Sequence, residues 1–171
     1  RARTPTGFAA YPLPRRGERF PVADSEFPGF GVPPRDDPRL HAAILEGVAF
    51  VVRLGIERIA AAGVAPPERV LLTGGGAASP QWARVLAAVL GTPVAPRPLS
   101  GAATGAAILA AAAVGGAAGA LGELDEPAGG EPDDVLPDPP LIWQLDERYA
   151  AFLDCLSRLE TRLGAATVAS C

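Results

Sequence analysis

Three consecutive glycines, Gly74, Gly75 and Gly76, separate the apolar run "RVLLT" from a Ser-Pro pair in the stretch "LLTGGGAASPQW". The run is too short for a helix and lies between Pro66-Pro67 and the glycines, which predicts a buried strand. Ser79 stands where a helix N-cap belongs and Pro80 at the first helical position. Trp82, Val85, Leu86 and Val89 then form one face of a helix that stops at Gly91. Strand, glycine turn and helix, followed by a second short strand expected around Val94, hold the chain to the α/β class. A glycine turn in that position lets backbone come close to a ligand, although the same residues also serve a tight turn that binds nothing.

The flanking segments are read in the same way. Residues 1–40 form a Pro- and Gly-rich arm, because proline recurs too often there for a helix or a central strand. From His41 to Ala62, Ile44, Leu45, Val48, Val51, Val52, Ile56 and Ile59 recur at helical spacing and end at Gly63, a suitable C′ residue. Phe50 and Leu54 fall off that stripe, so both sides of the helix are expected to be covered. Residues 41–121 form the α/β core on this reading. Residues 122–140, with seven acids and several prolines, form a solvated acidic loop without a binding role. Residues 141–165 form a C-terminal helix that docks on the body through Tyr149, Phe152, Leu153, Leu156, Leu159 and Leu163.

Bulk composition excludes several classes. With 171 residues, 49% of them apolar, the chain can bury one core. The net charge is −4 and all 15 basic residues are Arg, none of them clustered into a stripe, so a nucleic-acid partner is not expected. Cys155 and Cys171 lack metal-ligand or CxxC spacing, which suits a reduced, cytoplasmic setting with no metal site. Gly101 to Leu121 carries no charge over a membrane-span length, but it is mostly Ala and Gly and is interrupted by Gly115-Gly116. A closely packed buried helix is expected there, and no membrane partner. The chain opens on Arg1 without an apolar leader, as expected of a piece of a longer protein with nothing marking it for secretion.

Several chemistries of the glycine turn can be tested against the residues. A phosphate loop needs a Lys after its last glycine, and the chain contains no Lys. A dinucleotide fingerprint needs G-x-G-x-x-G and an acid about twenty residues on, but Ser79 takes the third position and no acid lies between Glu68 and Glu123. A nucleophile elbow would read G-x-S-x-G, whereas Ser79 is flanked by Ala77 and Gln81, and His41 has no evident partner. What remains is a backbone platform at a helix start, able to lie flat against a planar ring or a ribose, or else a turn with glycines for backbone reasons alone.

Several motifs together resemble one family. "ILEGVAFVVR", "VLLTGGGAASPQWARVLAAVLGTPV" and "GAATGAAILAAAAVG", preceded by "GERFPVAD" and followed by "LPDPP" and "DERYAAFLDCL", closely resemble the C-terminal domain of the FGGY carbohydrate kinases, above all the xylulokinase group. The resemblance covers about residues 11–160. It implies the C-terminal portion of an actin-like, ribonuclease H-like ATPase fold, and a nucleotide-binding part of an enzyme that transfers the γ-phosphate of ATP to a sugar hydroxyl with Mg²⁺. It further implies ATP or ADP as partner, a sugar or polyol bound through an N-terminal domain, and a reaction inactive in this piece alone; a homodimer is left open. Gly74, Gly75, Gly76 and Ala77 would line the adenosine pocket, with Ser79 and Gln81 near adenine or ribose. Glu46 and Gly47 match a family signature and are read as packing and helix geometry. The family's catalytic Asp lies upstream of the Gly-Glu-Arg segment, so no catalytic residue is assigned, and Ser100 replaces a Glu frequent in relatives. The alternative is a non-catalytic remnant or interaction module that keeps the fold and no ligand, or, more weakly, a small-molecule sensor.

Overall fold

The computed structural model describes residues 6–97, 102–115 and 133–168. The described elements run α1 (Leu40–Ala61), β1 (Val70–Thr73), a 3-10 turn (Gly75–Ala78), α2 (Pro80–Leu90), β2 (Val94–Arg97), α3 (Ala102–Gly115) and α4 (Pro139–Val168). Two compact units are present: Arg1–Pro66 with Ala88–Gly91 and Pro137–Cys171, and Pro67–Ala87 with Thr92–Leu136. The alternation of helices and parallel strands is that of an α/β chain.

The first unit is built around aromatic rings. Phe27, Phe50 and Phe152 are fully buried, and Tyr11 and Tyr149 nearly so. Tyr11 meets Phe27 edge-on at 5.2 Å and stacks on Phe152 at 6.0 Å, while Phe50 lies 5.6 Å from Phe152 and 5.7 Å from Tyr149. Ring pairs at these separations add to the apolar area that each ring removes from water.

The arm reaches this cluster because α1 offers it a surface without side chains. A Cβ on Gly47 would overlap the Ala10 carbonyl oxygen and stand 2.7 Å from Pro12 Cδ. Beside it, the buried Glu46 accepts the Thr6 hydroxyl at 2.6 Å and the Thr6 N–H at 3.2 Å, which fastens the start of the arm. The pair thus serves packing and geometry, as its place in the helix suggested.

Further along, the arm folds on itself. Tyr11 and Phe30 form one antiparallel bridge and Glu18 and Asp24 another. Gly17 has φ +100°, and a Cβ there would stand 2.8 Å from the Ser25 carbonyl oxygen, so this corner requires glycine. Glu18 accepts the Arg19 N–H at 2.7 Å and lies 2.9 Å from the Tyr11 hydroxyl, whose other acceptor is the Phe20 carbonyl at 2.6 Å. The Arg19 N–H, opposed by burial and assisted by Tyr11 and the Phe20 N–H, holds the Glu18 carboxyl below its ordinary value. Burial, together with Glu18, pushes the Tyr11 hydroxyl up.

Four expectations change. On α1 the buried residues include Ala43, Gly47, Phe50 and Leu54, whereas Val48, Val52 and Ile59, on the opposite face, are exposed. The middle of the sequence stripe is therefore uncovered while Ile44, Leu45, Val51 and Ile56 at its margins are half-buried, because the arm and α4 cover the face that carries glycine and Phe50. In the second unit β1 is only half buried, with Leu71 60% exposed, since the sheet of described residues has two strands and leaves one of its sides open. The apolar uncharged segment forms α3, but Leu109 and Val114 are 73% and 92% exposed, so it is not a buried helix among the described residues. No helix of the described residues is long and apolar enough to cross a membrane. The expected acidic loop lies partly outside the described residues. Its end is not merely solvated: Val135 exchanges both backbone hydrogen bonds with Val94, and Asp134 takes a bidentate grip from Arg69.

Two outcomes follow for stability. Gly47→Ala should lower it by about 1–3 kcal/mol through overpacking against the arm, read as a drop in urea midpoint. Because the Glu18 pKa is lowered in the folded chain, the stabilisation it gives is full above the ordinary Glu value of about 4.3 and is lost as pH falls through the folded value. Unfolding midpoints between neutral and acid pH should therefore fall less for Glu18→Gln than for the wild type.

Candidate functional site

β1 and β2 are parallel, with Val70 beside Val94, Leu71 beside Ala95, Leu72 beside Pro96 and Thr73 beside Arg97. The glycines leave the sheet at the C-terminal end of β1, the end of parallel strands at which α/β folds bind ligands. Gly74 turns the chain with φ +73° and ψ −163°, a combination open in practice only to glycine. The 3-10 turn that follows is closed by the Ala77 N–H on the Gly74 carbonyl and the Ser79 N–H on the Gly76 carbonyl, each at 3.1 Å.

Ser79 is extended, and its hydroxyl accepts the Trp82 N–H at 3.2 Å while its carbonyl accepts the Ala83 N–H at 3.1 Å. It is therefore the N-cap of α2, with Pro80 as the first helical residue, where its missing N–H costs nothing. The cap uses one lone pair of the hydroxyl and leaves its hydrogen free to rotate toward another acceptor.

The three glycines prove to have three different reasons. Gly74 is required by its dihedrals. At Gly76 a Cβ would stand 3.2 Å from Trp82 Cδ1 and 3.4 Å from Trp82 Nε1, so glycine there makes room for the indole. Gly75 has an ordinary φ, and a Cβ added to it would meet nothing within 4 Å among the described residues. Among the described residues no fold requirement accounts for Gly75. Gly75 and Gly76 are exposed, Ala77 is buried, and Ser79 and Gln81 are half-buried, so the turn presents bare backbone with two short polar side chains following it.

All six residues singled out from the sequence, Gly74, Gly75, Gly76, Ala77, Ser79 and Gln81, thus fall on one continuous turn and helix start. Trp82 was read only as an apolar helix residue; its spacing of six from Gly76 gave no sign of their contact. Among the described residues no three His, Cys, Asp or Glu side chains converge on a point, and this turn carries no carboxylate. Its donors and acceptors suit a planar, polar organic group better than a hard divalent cation.

The family model for the C-terminal domain of the FGGY family of carbohydrate kinases matches residues 1–114. Among solved structures, a xyloylose kinase from Brucella ovis superposes with TM-score 0.70 at 30% identity, over 93% of this chain and 33% of that one. A xylulose kinase from Rhodospirillum rubrum superposes with TM-score 0.61 at 25% identity, over 91% of this chain and 31% of that one. A gluconate kinase from Lactobacillus acidophilus, at 19% identity and TM-score 0.62 over 89% of this chain and 31% of that one, shares the fold. The chain spans about a third of the length of each of these enzymes.

The division of labour among the glycines is open to measurement. Gly74→Ala should cost about 1–3 kcal/mol of stability from backbone strain, whereas Gly75→Ala should leave the unfolding midpoint within error or raise it slightly.

Proposed function

Because the chain belongs to the FGGY family of carbohydrate kinases, we propose that it is the C-terminal, nucleotide-binding part of an ATP-dependent sugar kinase with xylulose as the favoured acceptor. The observation that carries this reading is Gly75: between two glycines that the fold explains stands one for which the described residues give no structural reason, with no described atom within 4 Å of where its Cβ would be. A flat nucleoside placed there would use that space. Gly75, Gly76 and Ala77 then form the surface under adenosine, and Gly74 sets the direction from which the chain enters it. The Ser79 hydroxyl, capping α2 through one lone pair, can still donate to a ribose or adenine acceptor, and the Gln81 amide offers both a donor and an acceptor beside it.

When bound, ATP supplies the phosphoryl group, and a sugar hydroxyl would receive it. The residues described here bind and orient; they do not provide a base for the attacking hydroxyl, nor carboxylates for Mg²⁺. Positioning of both reactants and general-base assistance each account for many powers of ten in rate. An adenosine surface alone supplies neither, so this chain by itself is expected to be inactive. The preference for xylulose is supported by two similar solved enzymes, whose names are those of xylulose-type kinases.

Isothermal titration of the chain with a non-hydrolysable ATP analogue tests the reading. Binding in the micromolar-to-millimolar range is expected. Gly75→Val should weaken it by about tenfold or more while far-UV circular dichroism stays unchanged, because the Cβ would meet no described atom within 4 Å and the branched side chain would crowd the ligand. Absence of wild-type binding at millimolar nucleotide would favour an interaction module that keeps the fold without the ligand.

A further inference from the structure

We infer that Trp82 is a positioning residue of the nucleotide surface, acting through Gly76 as the stop against which the glycine turn rests. The inference depends on the reading of Gly75 to Ala77 as the surface under adenosine. It concerns a residue that neither that reading nor the sequence places in the site.

The indole is well anchored. Its backbone N–H donates to Ser79 Oγ, so its Cα is fixed one turn into α2, and the ring is half-buried. From that position its Cδ1 stands 3.2 Å from where a Gly76 Cβ would be, tighter than most real Cβ contacts, with Nε1 at 3.4 Å beside it. The ring edge therefore lies against the bare face of Gly76. Gly76 is also tied to the same helix start, since its carbonyl accepts the Ser79 N–H at 3.1 Å. The turn is held on one side by this bond and blocked on the other by the ring. Truncating the ring would leave the hydrogen bonds of the turn in place but remove the contact that backs Gly76, so that Gly75 and Ala77 on either side could shift with it. A glycine at 76 and a tryptophan at 82 are then two halves of one device, and each makes sense only with the other.

A double-mutant cycle on the 171-residue chain tests this. Dissociation constants for ADP and for adenosine would be measured for the wild type, Trp82→Phe, Trp82→Ala, Gly76→Ala and the double variant Gly76→Ala/Trp82→Ala, with circular dichroism and urea midpoints confirming that each is folded. Trp82→Ala should weaken both ligands by about tenfold, an order below the roughly hundredfold that a 1 Å misplacement can cost in a reacting geometry. Trp82→Phe, which keeps a ring edge, should stay within about threefold of the wild type. Gly76→Ala should weaken binding as much as Trp82→Ala. The double variant should be no weaker than either single one, because the new Cβ occupies the room the indole leaves. Multiplicative losses in the double variant, or wild-type affinity in Trp82→Ala, would overturn the inference while leaving the adenosine surface intact. Failure of the wild-type chain to bind either ligand would overturn both.

Discussion

The first unit depends on how closely the arm can lie on α1. Gly47 is the point of closest approach, with the Ala10 carbonyl where a Cβ would be. Glu46, one residue earlier, draws in Thr6 by its carboxylate. With those two residues in place, Tyr11 reaches Phe27, Phe30 and Phe152, and the arm becomes part of a core although it contains no long helix or strand. A larger residue at position 47 would separate the rings by the thickness of a side chain, and ring packing tolerates such gaps poorly. The Glu18 corner adds local order, with one carboxylate serving two backbone donors and a buried phenol.

The second unit carries the proposed nucleotide surface. Two parallel strands, tied further by the Val94–Val135 bridge, bring the chain to Gly74, and the Ser79 cap begins a helix five residues later. The turn between them is short and closed by its own hydrogen bonds, so its backbone position is set before any ligand arrives. A site of this kind gains affinity from preorganisation, since little ordering remains to oppose binding. On the proposed reading, membership of a kinase family is compatible with a turn that bears neither lysine nor acid, since the contact would fall on the nucleoside and the charge of the phosphates would be met by other residues.

Much of the element order was legible because the signals are local. Gly63 and Gly91, both with positive φ, end helices where glycine is expected to, and Ser79-Pro80 begins one by the usual capping geometry. The burial of α1 was not legible. Its helix is apolar on opposite faces, and the periodicity of Val48, Val52 and Ile59 is as good as that of Ala43, Gly47, Phe50 and Leu54. Which face is covered depends on an arm and a helix from the two ends of the chain. The same holds for Val135, whose partner Val94 is far away in sequence. Membership of the family was readable from the motifs, because several of them in one order specify more than any one of them.

The sequence by itself determined the class of the fold, the order of its helices and strands, and the presence of a glycine turn at the end of a strand, because caps, prolines and short apolar runs act through neighbouring residues. The tertiary structure alone decided what each glycine is for. In the sequence Gly74, Gly75 and Gly76 are identical; in space one adopts dihedrals closed to other residues, one accommodates an indole from the next helix, and one faces open space. That distinction depends on what lies within a few ångströms of a missing side chain, and no periodicity records it.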